Sequence, residues 1–216
     1  MVDHREKGKS AAKKDPDVEL MLRVREGDSV AFDTLMRSYQ PRLQRVLRHI
    51  VGSESVAEDL VQDVFLRVWR ARKNYQATAK FSTWVFHIAH NVASNSLRDR
   101  NRRKEFQLAP QEGADTGAFT LEHMATASTG TMPVRKLDKA ERAEIVRTAI
   151  EALNERQRMA LLLSKFEGLS YQEIAEAMDL TVQAVKSLLS RARVNLKTLL
   201  EPYVVSGQMP VDSERP

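Results

Sequence analysis

The sequence predicts an all-α protein made of two small helical domains joined by a flexible linker. Apolar residues recur at three- and four-residue steps, which is the period of an amphipathic helix. Glycines are few, with 8 in 216 residues, and strand-like alternation of β-branched residues is scarce. The linker is expected at 105–138, where a polar stretch rich in Ala and Thr is interrupted by Pro110, Gly113, Gly117, Gly130 and Pro133.

The composition narrows the classes of function. A net charge of +5 suits a polyanionic partner. The absence of cysteine excludes disulfides, thiol catalysis and cysteine metal sites, and it is compatible with a reducing cytoplasm, where we expect the protein to act. The strongly apolar run 159–163 is too short to span a bilayer, and the N-terminus lacks an apolar signal core. No P-loop, nucleophile motif or metal-ligand set is found, so we expect neither an enzyme nor a cofactor.

The chain opens with a basic arm and a first helical domain. Residues 1–16 are Lys-rich without apolar periodicity, which predicts a disordered arm that is either solvated or in nonspecific contact with nucleic acid. The first domain is expected at 17–104. Its early helices are predicted to break at Gly27, and Pro41 is expected to open a further helix that Gly52 ends.

A helix with an unusual surface is predicted at 55–72, opened by a capping box of Ser55 and Glu58. Its apolar residues lie at near-heptad spacing and exceed what one side of a solvated helix carries, so part of them should face the core and part a partner. Residues 54–63 hold four acids and no base. These acids either stabilise the helix N-terminus or face the partner, and the spacing leaves both interpretations open.

The next helix is predicted from Phe81 to about Arg98, after a loop at 74–80. Beside its core stripe lies a face of mixed chemistry with Trp84, His87, Asn91, Asn95 and Arg98. An aromatic ring beside amides and arginine can stack an unpaired base and pair its phosphate, although core packing of Trp84 is an equal alternative. Residues 98–104 carry five basic residues against one acid, which favours phosphate contact.

The second domain is expected at 139–200, with a C-terminal tail at 201–216. Helices are predicted at 139–153 and 155–166, followed by a helix-turn-helix at 170–196. Ser170 and Glu173 form a capping box for its first helix, and Thr181 is the expected N-cap of its second. A buried stripe is predicted from Ile174, Met178, Leu180, Val185 and Leu188.

Polar and cationic side chains face outward on that second helix. They can reach base edges and phosphates in a DNA groove: Gln183, Lys186, Ser187, Ser190, Arg191 and Arg193. A helical hairpin with a solvated basic face is the alternative. The agreement of capping, apolar spacing and one-sided charge favours a DNA-binding unit.

Taken in order, these stretches resemble the extracytoplasmic-function sigma factors, which form group 4 of the sigma-70 family of bacterial RNA polymerase specificity subunits. The resemblance spans 17–200 and is carried by GDSVAFDTLMRSYQ, AEDLVQDVFLRVW, FSTWVFHIAHNVASN and LSYQEIAEAMDLTVQAVKSLLSRAR. It implies a sigma-2-like N-terminal bundle and a sigma-4-like helix-turn-helix domain. The implied function is to bind core polymerase and direct promoter recognition, DNA melting and transcription initiation at a specific regulon, with catalysis left to the polymerase.

The resemblance also implies roles for particular residues. The helix matching 55–72 docks on the β′ coiled coil in this family, which implies polymerase contacts by Asp59, Gln62, Asp63 and Phe65. The segment matching 74–103 reads and opens the minus-ten element. This implies pocket or stacking roles for Asn74, Tyr75, Phe81 and Trp84, and strand contacts by Asn91, Asn95, Arg98 and Arg102. The helix at 181–196 would enter the major groove of the minus-thirty-five element.

Other implied partners are the β flap of the polymerase and, because many relatives are held inactive by one, an anti-sigma factor, which the sequence leaves open. Two departures from the family pattern, Leu188 in place of a basic residue and Ala77 in place of a glycine, leave the promoter sequence undetermined. A helix-turn-helix regulator with an N-terminal ligand or dimerisation domain is the rival interpretation. It explains 170–196 but not the helices at Ser55 and Phe81.

Overall fold

The computed structural model describes residues 15–107 and 139–205, and all their regular elements are helical, which confirms the predicted fold class. The helices are α1 Pro16–Arg25, α2 Ser29–Val51, α3 Glu54–Ala71, α4 Phe81–Gln107, α5 Lys139–Glu151, α6 Glu155–Lys165, α7 Tyr171–Ala177 and α8 Val182–Val205, with a 3-10 turn at Arg72–Asn74. The predicted basic arm, the linker and the tail lie largely outside the described residues. Among those described, no helix is both long and apolar enough to cross a lipid bilayer.

Helices α1 to α4 pack around a common core. Its large and almost fully buried side chains include Met21, Leu35, Tyr39, Leu43, Leu47, Phe81 and Phe86. The side chain of Asp28 caps α2 by accepting a hydrogen bond from the Ala31 N–H at 3.0 Å. Gly52 ends the same helix with a φ of 72°, a left-handed conformation that glycine adopts without a Cβ clash.

Helix α2 is continuous through Pro41, so the prediction that Pro41 opens a separate helix is wrong. A proline inside a helix costs about 3 kcal/mol because it removes one hydrogen bond and crowds the preceding turn. The Pro41 ring lies on the exposed side of α2. Leu35 before it and Leu43 and Leu47 after it are buried on the opposite side. Burial of that continuous stripe outweighs the local penalty.

The start of α3 also differs from the prediction, because Ser53 rather than Ser55 is the N-cap. The Ser53 Oγ lies 3.5 Å from the Val56 nitrogen, and Ser55 already belongs to the first turn. Gly52 ends α2 and leaves Ser53 in an extended conformation, so it is the first residue placed to cap. Glu54 then accepts hydrogen bonds from Gln44 and Arg48 of α2, at 2.6 and 3.2 Å, which fixes the turn between the helices.

The C-terminal helices include the expected helix-turn-helix in α7 and α8. The capping box is present as predicted, since the Ser170 Oγ accepts from the Glu173 N–H and the Glu173 carboxylate accepts from the Ser170 N–H. The Thr181 Oγ1 caps α8 by accepting from the Ala184 N–H at 3.2 Å. Val185 is buried as predicted, whereas Leu188 is only partly buried and the stripe of α8 continues through Leu189 instead. Helix α8 extends to Val205 rather than ending at the predicted tail.

Candidate nucleic-acid and partner interfaces

The acidic face of α3 is accessible. Asp59 and Gln62 are exposed, and Asp63 is partly exposed. The carboxylate of Asp63 pairs with the guanidinium of Arg67, one turn later, at 3.0 Å. An exposed pair of this kind contributes little to folding stability, so this face is free to exchange its partner.

An apolar groove lies beside that face, between α2 and α3. It encloses about 650 Å³, and its wall includes Phe32, Met36, Phe65, Leu66 and Trp69. Leu66 is 53% exposed, whereas Phe65 is only 5% exposed and packs edge-on against Phe32 with ring centroids 6.3 Å apart. Gln62 and Glu58 line the groove as well. An apolar floor with an acidic and amide rim fits an amphipathic helix that carries basic residues.

The loop before α4 presents an aromatic cluster, and only part of it reaches the surface. Asn74 is exposed and Trp84 is half-buried. Trp84 packs against Tyr75 and Phe81, with ring centroids 4.9 and 5.9 Å away. Tyr75 is 4% exposed and Phe81 is fully buried, so in this conformation neither ring is open to a base. Both rings pack against Trp84, and the pocket or stacking roles expected for Tyr75 and Phe81 stay predictions.

The buried hydroxyl of Tyr75 has no hydrogen-bond partner in the described residues. Burial, and then the charge of Asp15, raise the pKa of Tyr75 to about 12, so the group stays neutral. A neutral phenol with an unused donor is costly to bury. The aromatic cluster therefore contains one buried hydroxyl, that of Tyr75, whose hydrogen bond is not made within the described residues.

Further along α4, the predicted strand-contact residues are mostly free of the core. Asn95, Arg98 and Arg102 are exposed, and Asn91 is half-buried with its side chain 3.1 Å from the His87 ring nitrogen. The helix continues through the basic run as far as Gln107. The basic residues at 98–104 therefore lie within the helix and not beyond its end.

Helix α8 presents the other predicted DNA face. Gln183, Lys186 and Ser190 are exposed, and at 100° per residue they lie on one side of the helix. Arg191 and Arg193 are exposed on the two flanks, where Arg193 comes within 3.3 Å of the Tyr171 hydroxyl. Ser187 is half-buried. Polar groups in the middle with cations at the edges is the arrangement that meets base edges and phosphates in a major groove.

The N-terminal half of the molecule, α1 to α4, and the C-terminal half, α5 to α8, are in contact along α4. Acids from the C-terminal half meet its polar face: Glu173 pairs with Lys80 at 2.8 Å, and Glu155 accepts from Ser94 at 2.8 Å. The bond to Glu173 raises the pKa of Lys80. A polar cavity of about 570 Å³ brings the predicted DNA contacts together with acids, because its lining includes Asn91, Asn95, Arg98, Glu155 and Asp179.

A second contact joins α2 to α6 and the turn that follows it. Arg42 pairs with Glu167 at 2.7 Å, and the Glu167 side chain is only 1% exposed. Arg158 donates to the backbone carbonyl of His49 across this contact at 2.8 Å, and to that of Leu153 in its own half at 2.7 Å. Burial lowers the pKa of Arg158, but its carbonyl partners favour the charged form that donates to them. Charged hydrogen bonds therefore lock the halves together.

The sequence patterns do not reveal the long-range hydrogen-bond partner of Asp15. The sequence places Asp15 in the predicted basic arm, yet its carboxylate accepts from the backbone N–H groups of Asp17 and of Phe81. An Asp followed by a proline is a helix-start signal, and Pro16 is indeed in the first turn of α1. That signal could have found the first of these bonds but not the second. No group of three or more potential ligands for a metal occurs among the described residues.

Two segments of the chain match known protein families. Residues 35–103 match Sigma-70 region 2, and residues 143–196 match Sigma-70, region 4. The RNA polymerase sigma-H factor of Pseudomonas aeruginosa is 34% identical over 190 residues, which cover 87% of this chain and 95% of that protein. The ECF RNA polymerase sigma-E factor of Escherichia coli K12 is 33% identical over 189 residues, covering 87% and 96%.

Solved structures have a similar fold. CnrH, solved in complex with the cytosolic domain of CnrY, matches with a TM-score of 0.62 and 23% identity over 87% of this chain and 99% of that one. The sigma factor RpoE of Bartonella quintana, solved with the anti-sigma factor NepR, gives 0.57 and 25% over 79% and 96%. The fold of this chain therefore agrees with the folds of these two solved structures.

Proposed function

Because the chain belongs to the extracytoplasmic-function sigma factors of the sigma-70 family, we propose that it binds core RNA polymerase through α3 and reads two promoter elements with α4 and α8. As a sigma factor it directs promoter recognition and transcription initiation. Region 2 and region 4 occur in the order that places polymerase binding and minus-ten recognition before minus-thirty-five recognition. This order, with polar and cationic side chains on one face of α4 and on one face of α8, is the observation that carries the proposal.

The polymerase contact is assigned to Asp59, Gln62 and Asp63 with the adjoining groove. The exposed carboxylates and the apolar groove beside them support this assignment, since the β′ coiled coil of the polymerase would have to meet both. Phe65 acts here as a wall of the groove, because little of its ring is exposed. A partner helix would gain apolar burial from the groove and orientation from the carboxylates.

Promoter opening is assigned to the loop before α4 and to α4 itself. Asn74 and Trp84 would receive an unpaired base, with Tyr75 and Phe81 supporting Trp84. Asn95, Arg98 and Arg102 would follow the strand, since amide and guanidinium groups suit bases and phosphates. Holding a base outside the stack makes the opened state selective for the base that fits.

Recognition of the minus-thirty-five element is assigned to α8. Gln183, Lys186 and Ser190 would face bases, with Ser187 beside them and Arg191 and Arg193 nearer the phosphates. The protein would contribute no catalytic group, since the chemistry of RNA synthesis belongs to the polymerase. It would act in the cytoplasm, where its polymerase and DNA partners lie.

An anti-sigma factor is a further proposed partner. Both solved structures named above are complexes of a sigma factor or its structural relative with a second protein. A regulator could exclude the polymerase by covering the apolar groove or the surface where the two halves of the chain meet.

The test of the polymerase contact is the affinity of the purified chain for core RNA polymerase, measured for wild type and for Asp63→Arg. The substitution should weaken binding by about tenfold or more, since it reverses a charge in the interface. Glu19→Arg is the matched control, because Glu19 is an exposed acid on α1. Equal affinity of wild type and Asp63→Arg would remove the α3 face from the interface.

A further inference from the structure

Helix α4 begins without a capping side chain of its own. The residue before Phe81 is Lys80, whose amine is engaged by Glu173. The Phe81 N–H instead donates to Oδ2 of Asp15 at 3.0 Å, across 66 residues of chain. A carboxylate from the start of α1 thus satisfies the first turn of the helix that carries the candidate base-binding loop.

The same carboxylate caps a second helix. Its Oδ1 accepts from the Asp17 N–H at 3.0 Å, and Asp15 is the N-cap of α1. One charged group therefore joins two helix N-termini, each of which favours a negative charge. The start of α4 cannot move relative to α1 without breaking one of these two bonds.

A line of side chains continues this connection to Trp84. Asp17 accepts from the Tyr39 hydroxyl at 2.6 Å. The Tyr39 ring packs edge-on against Phe81, with centroids 5.0 Å apart at 83°, and Phe81 packs against Trp84. These contacts connect the start of α1, through Tyr39 and Phe81, to the ring of Trp84.

We propose that Asp15 is a positioning residue for promoter opening: it fixes the first turn of α4 and so holds Trp84 and the loop at 75–80 in the geometry that receives an unpaired base. This inference rests on the proposed function of that loop. Asp15 itself does not touch the base. Removing the carboxylate of Asp15 should make Trp84 and the loop at 75–80 more mobile, while the α3 and α8 surfaces stay unchanged.

The first test needs no promoter. The chain has two tryptophans, so the emission of Trp84 can be isolated in a Trp69→Phe background and its quenching by acrylamide measured in the free protein. Asp15→Ala should raise the quenching constant, and Asp15→Asn should give an intermediate value because its amide oxygen can cap only one of the two helices. Asp28→Ala is the matched control, since Asp28 caps α2 in the same way without contacting α4. Quenching that is equal in Asp15→Ala and Asp28→Ala would overturn the proposal.

The second test measures function with the full chain, core polymerase and the strongest promoter fragment recovered from a genomic transcription library. Asp15→Ala should slow open-complex formation about fivefold, the size expected for one lost cap, with core affinity unchanged. Asp28→Ala should change the rate much less. Equal rates for the two variants would overturn the inference alone, whereas a wild-type chain that recovers no promoter would overturn the proposed function.

Discussion

Glu173 shows how a single side chain can serve both local and long-range structure. Its carboxylate closes the capping box of α7 with Ser170 and also accepts from Lys80 at the start of α4. Burial acts to raise the pKa of Glu173, but the hydrogen bonds from Lys80 and Ser170 lower it by more. The ionised form is therefore the one that holds α7 in place.

The cap of α7 gives a direct stability prediction. Ser170→Ala should reduce the free energy of unfolding by about 1 kcal/mol, because the Glu173 N–H loses its acceptor. Urea denaturation followed by circular dichroism measures this change. Ser38→Ala is the control, because Ser38 is an exposed residue within α2, so its loss should matter little. Equal effects of Ser170→Ala and Ser38→Ala would contradict the role of Ser170 as a cap.

One buried and one half-buried histidine, His49 and His90, predict a dependence of stability on pH. Burial lowers the pKa of His49 and of His90 below the ordinary value of 6.5. Between the folded and unfolded pKa values the unfolded chain binds more protons, so stability is full above 6.5 and falls as the pH drops through and below it. Unfolding free energies measured from pH 7.5 to 5.5 should show this decline, and His49→Gln with His90→Gln should flatten it. A stability that rises towards pH 5.5 would contradict the assignment.

At the residue scale, the sequence predicts what is local. The capping box at Ser170 and the cap at Thr181 depend on neighbours three residues away, and both are present. The roles of Asp15 and Phe81 depend on packing between distant segments. Phe81 is an aromatic residue of the kind that can stack on a base, but its ring is buried and packs against Tyr39 in the core. No sequence pattern around position 81 indicates this contact.

At the element scale, α8 is a rigid carrier for the groups that would read the minus-thirty-five element. Its buried side, with Val185, Leu189 and Ala192, packs within the C-terminal core. The exposed side carries the polar and cationic groups. Because packing fixes the rotation of the helix, the exposed groups have one orientation toward a groove.

Lys186→Ala with Arg191→Ala should reduce promoter-directed transcription without weakening the affinity for core polymerase. Because Arg191 is assigned to a phosphate and Lys186 to bases, the slope of log affinity for promoter DNA against log salt should fall by about 0.9, for one lost phosphate contact. Titrations of the holoenzyme on promoter DNA at several salt concentrations measure the slope. An unchanged slope would show that Arg191 does not contact a phosphate, and loss of core binding as well would indicate misfolding.

Element boundaries were less predictable than element type. Pro41 signals a helix start, but continuous burial on the opposite side of α2 carries the helix through it. Ser55 and Glu58 match the spacing of a capping box, yet Gly52 ends α2 early enough that Ser53 takes the cap. In both cases tertiary packing decided between two locally acceptable starts.

At the scale of the whole molecule, the face of α4 that is assigned to the minus-ten element is turned toward the C-terminal half. Glu155 and Asp179 line the same cavity as Asn91, Asn95 and Arg98. Under the proposed function, the phosphates of a DNA strand on this face would approach these carboxylates and be repelled by them. The contact of α4 with the C-terminal half would then have to separate for α4 to bind DNA along its length.

The contact between the two halves includes the ion pair of Arg42 and Glu167, so reversing one of these charges should weaken that contact. Glu167→Arg places a cation against Arg42 in a buried contact, so the repulsion should open the joint and increase the radius of gyration measured by small-angle X-ray scattering. Asp63→Arg, a reversal on the α3 face away from the joint, is the control. Scattering curves that coincide for wild type and Glu167→Arg would show that this ion pair does not hold the halves together.

As a sigma factor, this chain directs core RNA polymerase to promoters. To test this function, the purified chain is added to core polymerase, one-to-one binding is verified and a library of genomic fragments is transcribed. We expect new start sites, with shared sequence elements upstream that are absent from reactions with core alone. Failure to bind core, together with tight binding of the chain alone to duplex DNA as a dimer, would contradict it and favour a helix-turn-helix regulator.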